Sequence, residues 1–264
     1  MSSPEKDLFH DYLSRIKRPS PLGSTVFVGL RLAEPLVQHA ILSQNLGSSL
    51  INYLGGELLP LGTPIEPCTG LSPYRLILFL MSAGCSLKQI FWVTSVAEQE
   101  MPVKNALPIC AFNFIFNSLN SLLFINKFTS ASTDGGQDLD DPSFPSIPLV
   151  VGSTAYVTGI LLELVSEIQR KRFKKALKNK GKNYSGGLFS LARHINYTGH
   201  ILMRGGYALA AGGWIWGGLI TVFFVRDFVT RAIPCLDKYC QERYAEPWSE
   251  YKRTVPYKLI PGLY

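Results

Sequence analysis

The chain has 264 residues, of which 47% are hydrophobic and only 17% are charged. A soluble domain usually has about 25% charged residues, so the composition favours an integral membrane protein over a soluble globular one. The net charge is +7, and eight Lys and Arg residues fall within Arg170–Lys182. In a membrane protein such a basic block indicates a cytoplasmic loop rather than a nucleic-acid-binding surface, so no nucleic-acid partner is expected.

The N-terminal residues 1–20 contain acids and bases but no apolar core. They do not resemble a secretory signal peptide, and they are expected to form a cytosolic or luminal tail. The five cysteines make neither a CxxC pair nor a zinc-ligand spacing. We therefore expect reduced cysteines in packing positions and no metal site. Residues 21–264 are predicted to form a single membrane domain.

Four apolar segments have the roughly 20 residues that a transmembrane helix requires. They are Tyr74–Ala97, Asn105–Asn126, Pro145–Val165 and Ile201–Val225. A fifth segment, Thr25–Leu54, is long enough but polar, and it is expected to form one kinked span or two short ones. Its polar or kinking residues are Arg31, Glu34, Pro35, His39 and Gln44. The predicted fold class is all-α, a polytopic integral membrane helix bundle with about five to seven membrane helices.

The last apolar segment, Ile201–Val225, is rich in glycine. Its glycines are Gly205, Gly206, Gly212, Gly213, Gly217 and Gly218. Small residues permit close contact between helices in lipid. The segment is predicted to form either one helix or a pair of helices broken near Gly212–Gly213.

Two loops differ strongly in charge. Thr129–Pro148 contains four Asp residues and no Lys or Arg, whereas Arg170–Lys182 is basic. The predicted span Pro145–Val165 connects them, so the loops are expected on opposite faces of the membrane, with the basic loop in the cytosol. The tail that begins at Arg226 is also cytosolic if the glycine-rich segment returns to the side from which it started.

Several polar side chains fall within or beside the predicted spans. Ionisable residues in a membrane are functional candidates by default, and Lys88 and Glu34 meet that description. Lys88 has two alternative roles, a snorkelling side chain or an ion-pair partner of Glu34. Asn113, Asn117 and Asn120 share one helix face, where they either bond neighbouring helices or line a cavity. Glu163 and Glu167 are expected to pair with Arg170 or Lys171, or else to serve the function.

The C-terminal stretch LDKYCQERYAEPWSEYKRTVPYKLIPGLY interleaves aromatic residues with cations. A segment from Leu236 to about Arg253 is predicted to form a cytosolic amphipathic helix, which Pro256 and Pro261 prevent from continuing. Aromatic and basic side chains together suit the membrane interface. They equally suit a nucleotide, whose base stacks on the rings while the cations bind phosphate, and the residues alone leave both readings open.

Three motifs resemble those of one superfamily. RHINYTGH at 193–200 is similar to the RHPNYLGD/E-like block of sterol reductases, EIQRKRFK at 167–174 to their NxQKxxFR-like segment, and the C-terminal stretch to their C…KYG…W…Y…VPYR pattern. The sequence is identified as a member of the superfamily of sterol C14-reductases, 7-dehydrocholesterol reductases, steroid 5α-reductases and isoprenylcysteine methyltransferases. Within it, the sequence is most similar to small fungal membrane proteins of unknown function. The likeness spans Glu167–Tyr264.

The resemblance implies an endoplasmic reticulum enzyme that uses NADPH to reduce a C=C bond in a lipophilic steroid, sterol, terpenoid or polyprenoid substrate. The partners it implies are that substrate and membrane lipids, and it leaves the oligomeric state open. It places the cofactor in the region 167–264, with a cytosolic C-terminus. The residues implied to bind NADPH are Arg170, Lys174, Arg193, His194, Asn196, Tyr197, Tyr244, Trp248 and Tyr251. The catalytic candidates are Lys88, Glu34, Tyr207 and His200, the first three as proton donors.

Three features depart from the reductase pattern. Ile195 replaces a proline, and His200 replaces the acid that closes the block. Cys235 and Leu236 stand where the reductases carry an Arg-Asp pair, with Asp237 the acid that remains. Three alternatives therefore stay open: an S-adenosylmethionine-dependent methyltransferase of the isoprenylcysteine type, a cofactor-free membrane isomerase or cyclase on the same scaffold, and a non-catalytic membrane protein.

Overall fold

The computed structural model describes residues 16–64, 70–133 and 145–264. Over these ranges the chain is helical and forms no β-strand, which confirms the all-α fold class. Most of the N-terminal tail (residues 1–15), the acidic part of the predicted luminal loop (residues 134–144) and Cys68 lie outside the described residues.

Eight α-helices follow one another in the described parts of the chain. They are α1 (Pro21–Gln44), α2 (Ser48–Tyr53), α3 (Pro73–Phe91), α4 (Val103–Ile125), α5 (Ile147–Lys175), α6 (Ile195–Asp227), α7 (Ile233–Tyr244) and α8 (Glu246–Thr254). Single π-helical turns extend α3 over Trp92–Val96 and α6 over Phe228–Ala232. Pro21 and Pro73 stand in the first turns of α1 and α3, where the missing N–H group would have had no helical partner.

Four of the described helical segments are long and apolar enough to cross a membrane: Pro73–Val96, Val103–Ile125, Ile147–Lys175 and Ile195–Tyr244. They correspond to the four apolar segments of the sequence, and the chain is an integral membrane protein. The number is below the expected five to seven for two reasons. The polar segment Thr25–Leu54 forms α1 and the short α2, neither of which is among the four. The glycine-rich segment counts once, although it folds back on itself.

The glycine-rich helix α6 is a hairpin. Gly212 and Gly213 leave the helical conformation, and Gly213 has a positive φ of 71°, which glycine adopts without steric cost. A straight helix would separate residues 197 and 228 by about 46 Å. Instead, the rings of Tyr197 and Phe228 stack with centroids 4.5 Å apart. The chain therefore returns to the side from which it started, as the broken-pair prediction requires.

The described residues pack as two compact units. The first, here called the bundle unit, contains the described residues of Arg15–Val157 together with Met203–Ile220. Inside it α1 packs against α3 and α4. The second, here called the C-terminal unit, comprises Thr158–Leu202 and Thr221–Tyr264. Its core is formed by Phe189, Ala192, Ile195, Cys240, Trp248, Tyr251 and Val255.

The C-terminal amphipathic segment is two helices rather than the predicted single one. α7 ends at Tyr244, and Ala245 takes a positive φ of 50° before α8 begins. Pro247 lies in the first turn of α8, and because it lacks an N–H group it cannot continue the hydrogen bonding of α7. After α8 the chain is not helical, which confirms the effect expected of Pro256 and Pro261.

Candidate functional site

All nine residues implied to bind the cofactor lie in the C-terminal unit. Arg170 and Lys174 stand on the last turns of α5, and the RHINY block forms the loop and first turn that open α6. Tyr244 ends α7, and Trp248 and Tyr251 belong to α8. Three segments that are distant in sequence thus contribute to one unit.

Arg193 holds the extended residues that follow α8. Its guanidinium Nη1 donates to the carbonyls of Val255 and Pro256, at 2.6 and 3.0 Å. Its backbone N–H donates to the carbonyl of Tyr257 at 3.0 Å, and the next residue, His194, donates likewise to Lys258 at 2.8 Å. We refer to residues 255–264 as the C-terminal strap. With only 6% of its surface exposed, Arg193 is a structural anchor of this strap.

Glu167 connects α5 to the RHINY block. Its carboxylate accepts from the guanidinium of Arg170 and from the side-chain amide of Asn196, at 3.0 Å. The pairing of Glu167 with Arg170 is the helix-end ion pair that the sequence predicted. The Arg170 guanidinium also lies over the ring of Phe189, 5.7 Å from its centroid. The acid thus fixes a cation and an amide side by side.

Three aromatic rings form a stack beside this cluster. The His194 and Tyr197 rings are nearly parallel, with centroids 5.4 Å apart, and Phe228 continues the stack on the other face of Tyr197. The His194 Nε2 atom faces a carboxylate oxygen of Asp237 at 3.6 Å. Asp237, the acid that remains near the missing Arg-Asp pair, is therefore placed against the RHINY block.

Trp248 and Tyr251 lie in the hydrophobic core of the C-terminal unit. The Tyr251 hydroxyl donates to the carbonyl of Phe189 at 2.6 Å, and burial raises the pKa of this hydroxyl above its ordinary value. The side chain therefore stays protonated and bonded to the protein. Lys174 is the contrasting case, because it is exposed and its Nζ lies 3.1 Å from the Tyr244 hydroxyl.

His200 lies beside a carboxylate that comes from another helix. Its Nδ1 is 3.3 Å from an Oε atom of Glu163 on α5. The two helices can approach closely here because a Cβ at Gly199 would lie 2.7 Å from the backbone of Gly159. A negative charge is thus present next to position 200, although the residue at that position is not an acid.

His194 Nε2 and Asp237 Oδ1 face each other at 3.6 Å. Two other buried polar atoms of the C-terminal unit, Arg193 Nε and Trp248 Nε1, carry N–H groups that have no hydrogen-bond partner among the described residues. Phosphate oxygens and amide carbonyls accept from such donors. The donor set, together with Arg170 and Lys174, fits a phosphate-bearing cofactor.

The remaining catalytic candidates lie in the bundle unit. Glu34 forms an ion pair with Arg31 on the same helix and accepts from the side-chain amide of Asn117. Asn117 in turn accepts from Arg204 Nη1 at 3.0 Å. Lys88 is buried on α3. Glu34 is thus linked to two cations, to Arg31 directly and to Arg204 through Asn117.

The asparagine stripe on α4 bonds neighbouring helices. Asn113 accepts from Gln89 at 2.8 Å, and Asn120 accepts from the Trp216 indole at 2.7 Å. Each of the two amides therefore has a helix-bridging partner, as does Asn117. This outcome supports the structural alternative for the stripe.

Arg31 and Arg204 are the residues that sequence reasoning missed. Both are buried. The signal for Arg31 was its spacing, since Arg31 and Glu34 stand three positions apart on one helix and can meet there. Arg204 stood out in the sequence as an ionisable residue within the predicted span Ile201–Val225, but its partner Asn117 is distant along the chain and could not be predicted.

Protonation of His194 is expected to destabilise the C-terminal unit. Burial lowers the pKa of His194 below its ordinary value, and the cations Arg193 and Arg170 act in the same direction, whereas Asp237 opposes them. Below about pH 6.5 the unfolded chain binds a proton at this position that the folded chain resists. Stability should therefore be full above that pH and decline as the pH falls.

The measurement is the thermal midpoint between about pH 8 and about pH 5.5, which brackets the ordinary histidine pKa. His194→Gln keeps a polar side chain and removes the titration, so its midpoint should fall less over this interval. A decline as steep in His194→Gln as in the wild type would contradict the assignment.

Comparison with known proteins identifies related chains. The profile of a family described as a protein of unknown function (DUF1295) matches residues 103–255. A protein of Ustilaginoidea virens named probable O-methyltransferase ustE is 42% identical over 235 residues, which cover 86% of this chain and 81% of that protein.

Sterol reductases match a shorter part of the chain. The Delta(14)-sterol reductase erg24 of Schizosaccharomyces pombe is 34% identical over 100 residues, 37% of this chain and 21% of that protein. The 7-dehydrocholesterol reductase of Xenopus laevis is 33% identical over 81 residues, 30% of this chain and 16% of that protein. The chain thus matches about a fifth of the length of these reductases.

Proposed function

Because the chain belongs to the DUF1295 family, within the steroid 5α-reductase family, we propose that it is a membrane-embedded, NADPH-dependent reductase of a C=C bond in a lipophilic substrate. The observation that carries the proposal is the cluster in the C-terminal unit. There Glu167 holds Arg170 and Asn196 together, beside the stacked rings of His194 and Tyr197. These residues belong to the motifs that resemble sterol reductases.

The residues proposed to bind the cofactor fall into two groups, those that are at least partly exposed and those that are buried. Arg170, Lys174, Asn196, Tyr197 and Tyr244 are proposed to contact NADPH directly, because none of them is fully buried. Arg170 and Lys174 would bind phosphate, and the ring of Tyr197 would orient a planar group. Arg193, Trp248 and Tyr251 are buried and are proposed to support the residues that contact the cofactor. The N–H groups at Arg193 Nε and Trp248 Nε1 are proposed to donate to the cofactor.

Glu163 is proposed to replace the acid that the reductases carry at the position of His200. A carboxylate near this position can accept from a cofactor hydroxyl or amide. The His200–Glu163 contact keeps such an acceptor in place. The proposed site thus retains the charge and changes the residue that supplies it.

Tyr207 is proposed to be the proton donor. NADPH, when bound, supplies a hydride, and the second carbon of the reduced bond then needs a proton. Tyr207 is fully buried in the bundle unit, and its ring centroid lies 6.3 Å from that of Tyr156. It is within electrostatic reach of Arg204, which would stabilise the phenolate left after transfer. Glu34 is a weaker choice, because its carboxylate is the counter-charge of Arg31.

We also propose that the protein resides in the endoplasmic reticulum with its C-terminus in the cytosol. The hairpin of α6 supports this orientation, because it returns the chain after Phe228 to the side of the RHINY block. The basic end of α5 then lies in the cytosol by the positive-inside rule.

Methyl transfer from S-adenosylmethionine is the second candidate. A specific observation favours it. The relative that matches most of this chain is named a probable O-methyltransferase, whereas the reductases match only part of it. The same C-terminal unit would then hold a different cofactor.

A cofactor titration separates the two candidates. Purified protein in detergent is heated with NADPH, NADH or S-adenosylmethionine, and the thermal midpoint is recorded. We expect NADPH to stabilise the protein, by about 2.7 kcal/mol at a concentration 100 times its Kd. Lys174→Ala should abolish most of this gain, because Lys174 is proposed to bind a phosphate of the cofactor. Since Lys174 is exposed, its loss should not disturb the core.

Lys182→Ala is the matched control, since Lys182 is also exposed but lies beyond α5, away from the motif. It should leave the gain unchanged. Stabilisation by S-adenosylmethionine alone would reject the reductase proposal in favour of the methyltransferase. No stabilisation by NADPH or by S-adenosylmethionine would reject both proposed functions.

A further inference from the structure

The basic loop Arg170–Lys182 carries more positive charge than the proposed cofactor requires. It holds eight Lys and Arg residues and no Asp or Glu. Arg170 and Lys174 are the two that are proposed to bind phosphate. The other six cations are all exposed: Lys171, Arg172, Lys175, Lys178, Lys180 and Lys182. Their common sign and their density call for a physical explanation.

The dipole of α5 explains only part of this clustering. Like charges four positions apart, such as Lys171 and Lys175, destabilise a helix, whereas cations in its last turn are favoured by the negative end of the dipole. The dipole acts within that last turn. Lys178, Lys180 and Lys182 lie beyond the end of α5, so the dipole gives no reason for these three lysines.

The length of α5 brings the basic loop to the level of the lipid headgroups. α5 is one of the helices that are long and apolar enough to cross a membrane. Its 29 residues extend about 44 Å at 1.5 Å per residue. The hydrocarbon core of a bilayer is about 30 Å thick, and the bilayer with its headgroups about 40–45 Å. The last turns of α5, which carry the first cations, therefore leave the hydrocarbon and enter the headgroup region.

The residues that follow α5 are held in a defined conformation. The backbone N–H of Asn179 donates to the carbonyl of Ala176 at 2.9 Å, and its side-chain amide donates to the carbonyl of Phe173 at 2.9 Å. The ring of Phe173 packs against that of Tyr184, with centroids 4.9 Å apart. These contacts keep the lysines near the end of α5. A loop that marked the cytosolic side by its charge alone would need no such structure.

An apolar side chain projects from the same turn. Leu177 is 90% exposed, although it lies beyond the end of α5, between Lys175 and Lys178. Removing a leucine side chain from water is worth about 1.5–3 kcal/mol. Interfacial segments that bind anionic membranes combine cations with apolar residues that enter the boundary between headgroups and acyl chains. Leu177 and its neighbours have this combination.

We infer that residues 171–182 form a docking surface for the headgroups of anionic phospholipids in the leaflet around the end of α5, with Leu177 inserted beside the acyl chains. Clusters of roughly four to eight Lys and Arg residues beside a membrane helix attract such lipids. The surface has the complementary charge, lies at headgroup depth and holds its cations together. The inference goes beyond the proposed function, since lipid binding requires neither cofactor nor substrate.

The test compares two lipids with the same acyl chains. The purified full chain in neutral detergent is titrated with dioctanoylphosphatidylserine and, separately, with dioctanoylphosphatidylcholine, and binding is followed by thermophoresis. We expect the anionic lipid to bind about tenfold or more tightly at about 0.05 M salt. The preference should shrink at about 0.5 M salt, because salt screens exposed charges. Equal binding of the two lipids at low salt would overturn the inference.

Two combined variants locate the surface. The first removes three charges beyond α5: Lys178→Gln, Lys180→Gln and Lys182→Gln. The control removes the same charge at three other exposed positions: Lys104→Gln, Lys238→Gln and Arg253→Gln. The first should reduce the preference for the anionic lipid by about threefold or more, and the control should leave it intact. All six positions are exposed, so both variants should fold. An equal loss in both would show an effect of net charge alone and would refute the surface.

Leu177→Gln tests the insertion of the apolar side chain. Because Leu177 is 90% exposed, the substitution should not disturb packing. It should weaken the binding of both lipids several-fold and leave the preference for the anionic one unchanged. Unaltered binding of both lipids would contradict the insertion.

The headgroup without its acyl chains separates a lipid from a soluble phosphate ester. Glycerophosphoserine carries the same charge as dioctanoylphosphatidylserine, and we expect it to bind about tenfold or more weakly. Equal binding of the two would show that the surface takes soluble phosphate esters and would refute its assignment to lipid. Neither result depends on the response to NADPH, so the docking surface and the proposed reductase can fail separately.

Discussion

Replacing Arg193 by alanine is expected to release the C-terminal strap and to lower the free energy of unfolding by about 2–4 kcal/mol. The guanidinium bonds two consecutive carbonyls of the strap, those of Val255 and Pro256. Alanine would leave the buried carbonyl of Val255 and the part-buried carbonyl of Pro256 without this donor. The backbone bonds of residues 193 and 194 to Tyr257 and Lys258 would then hold the strap alone.

Two measurements detect this release. Amide hydrogen exchange within residues 255–264 should accelerate, and the thermal midpoint should fall. Arg253→Ala is the control, because Arg253 forms an exposed ion pair with Glu246 at 2.9 Å, and exposed pairs contribute little. Unchanged exchange in the strap of Arg193→Ala would show that the backbone bonds alone hold it. Because Arg193→Ala acts on stability, Lys174→Ala is the variant suited to the cofactor test.

Adding one methyl group at Gly206 is expected to destabilise the bundle unit by about 2–3 kcal/mol. Gly206 on α6 faces Gly152 on α5. A Cβ at Gly206 would lie 2.5 Å from the carbonyl oxygen of Gly152 and 2.6 Å from the backbone nitrogen of Tyr156. Both atoms belong to the backbone, so the helices would have to separate. Small residues at such crossings allow close packing in lipid.

Gly29→Ala adds the same methyl group to α1, where nothing lies within 4 Å of the new Cβ. Because alanine has the higher helix propensity, this control should be neutral or stabilising, by up to about 1 kcal/mol. The measurement is the unfolding free energy in detergent for both variants. Equal effects of the two substitutions would contradict the close crossing of α5 and α6.

The membrane helices could be read from the sequence because their signal is local. An apolar stretch of about 20 residues has few alternatives in a lipid bilayer. The helix break at Gly212–Gly213 could also be predicted from the sequence, since two adjacent glycines weaken a helix and tolerate a positive φ. The predicted single helix over Leu236–Arg253 was wrong at Ala245, although Pro247 is a local signal that a helix cannot continue through this point.

The sequence predicted which residues belong to the candidate site but not what each of them contacts. The motifs named nine residues of the C-terminal unit, yet they did not distinguish Lys174, which is exposed, from Tyr251, which bonds the carbonyl of Phe189. That distinction depends on burial. It also depends on partners such as Glu167, which bonds Asn196 on another helix.

The sequence by itself determined the all-α membrane class, the positions of the four apolar spans and the motif region of the C-terminal unit. Only the tertiary structure decided that Glu163 stands beside His200 and that Asn117 bonds both Glu34 and Arg204. The physical reason is the range of the interactions. Hydrophobic length and glycine flexibility act within a segment, whereas a buried charge is defined by the groups that other helices bring within hydrogen-bonding distance.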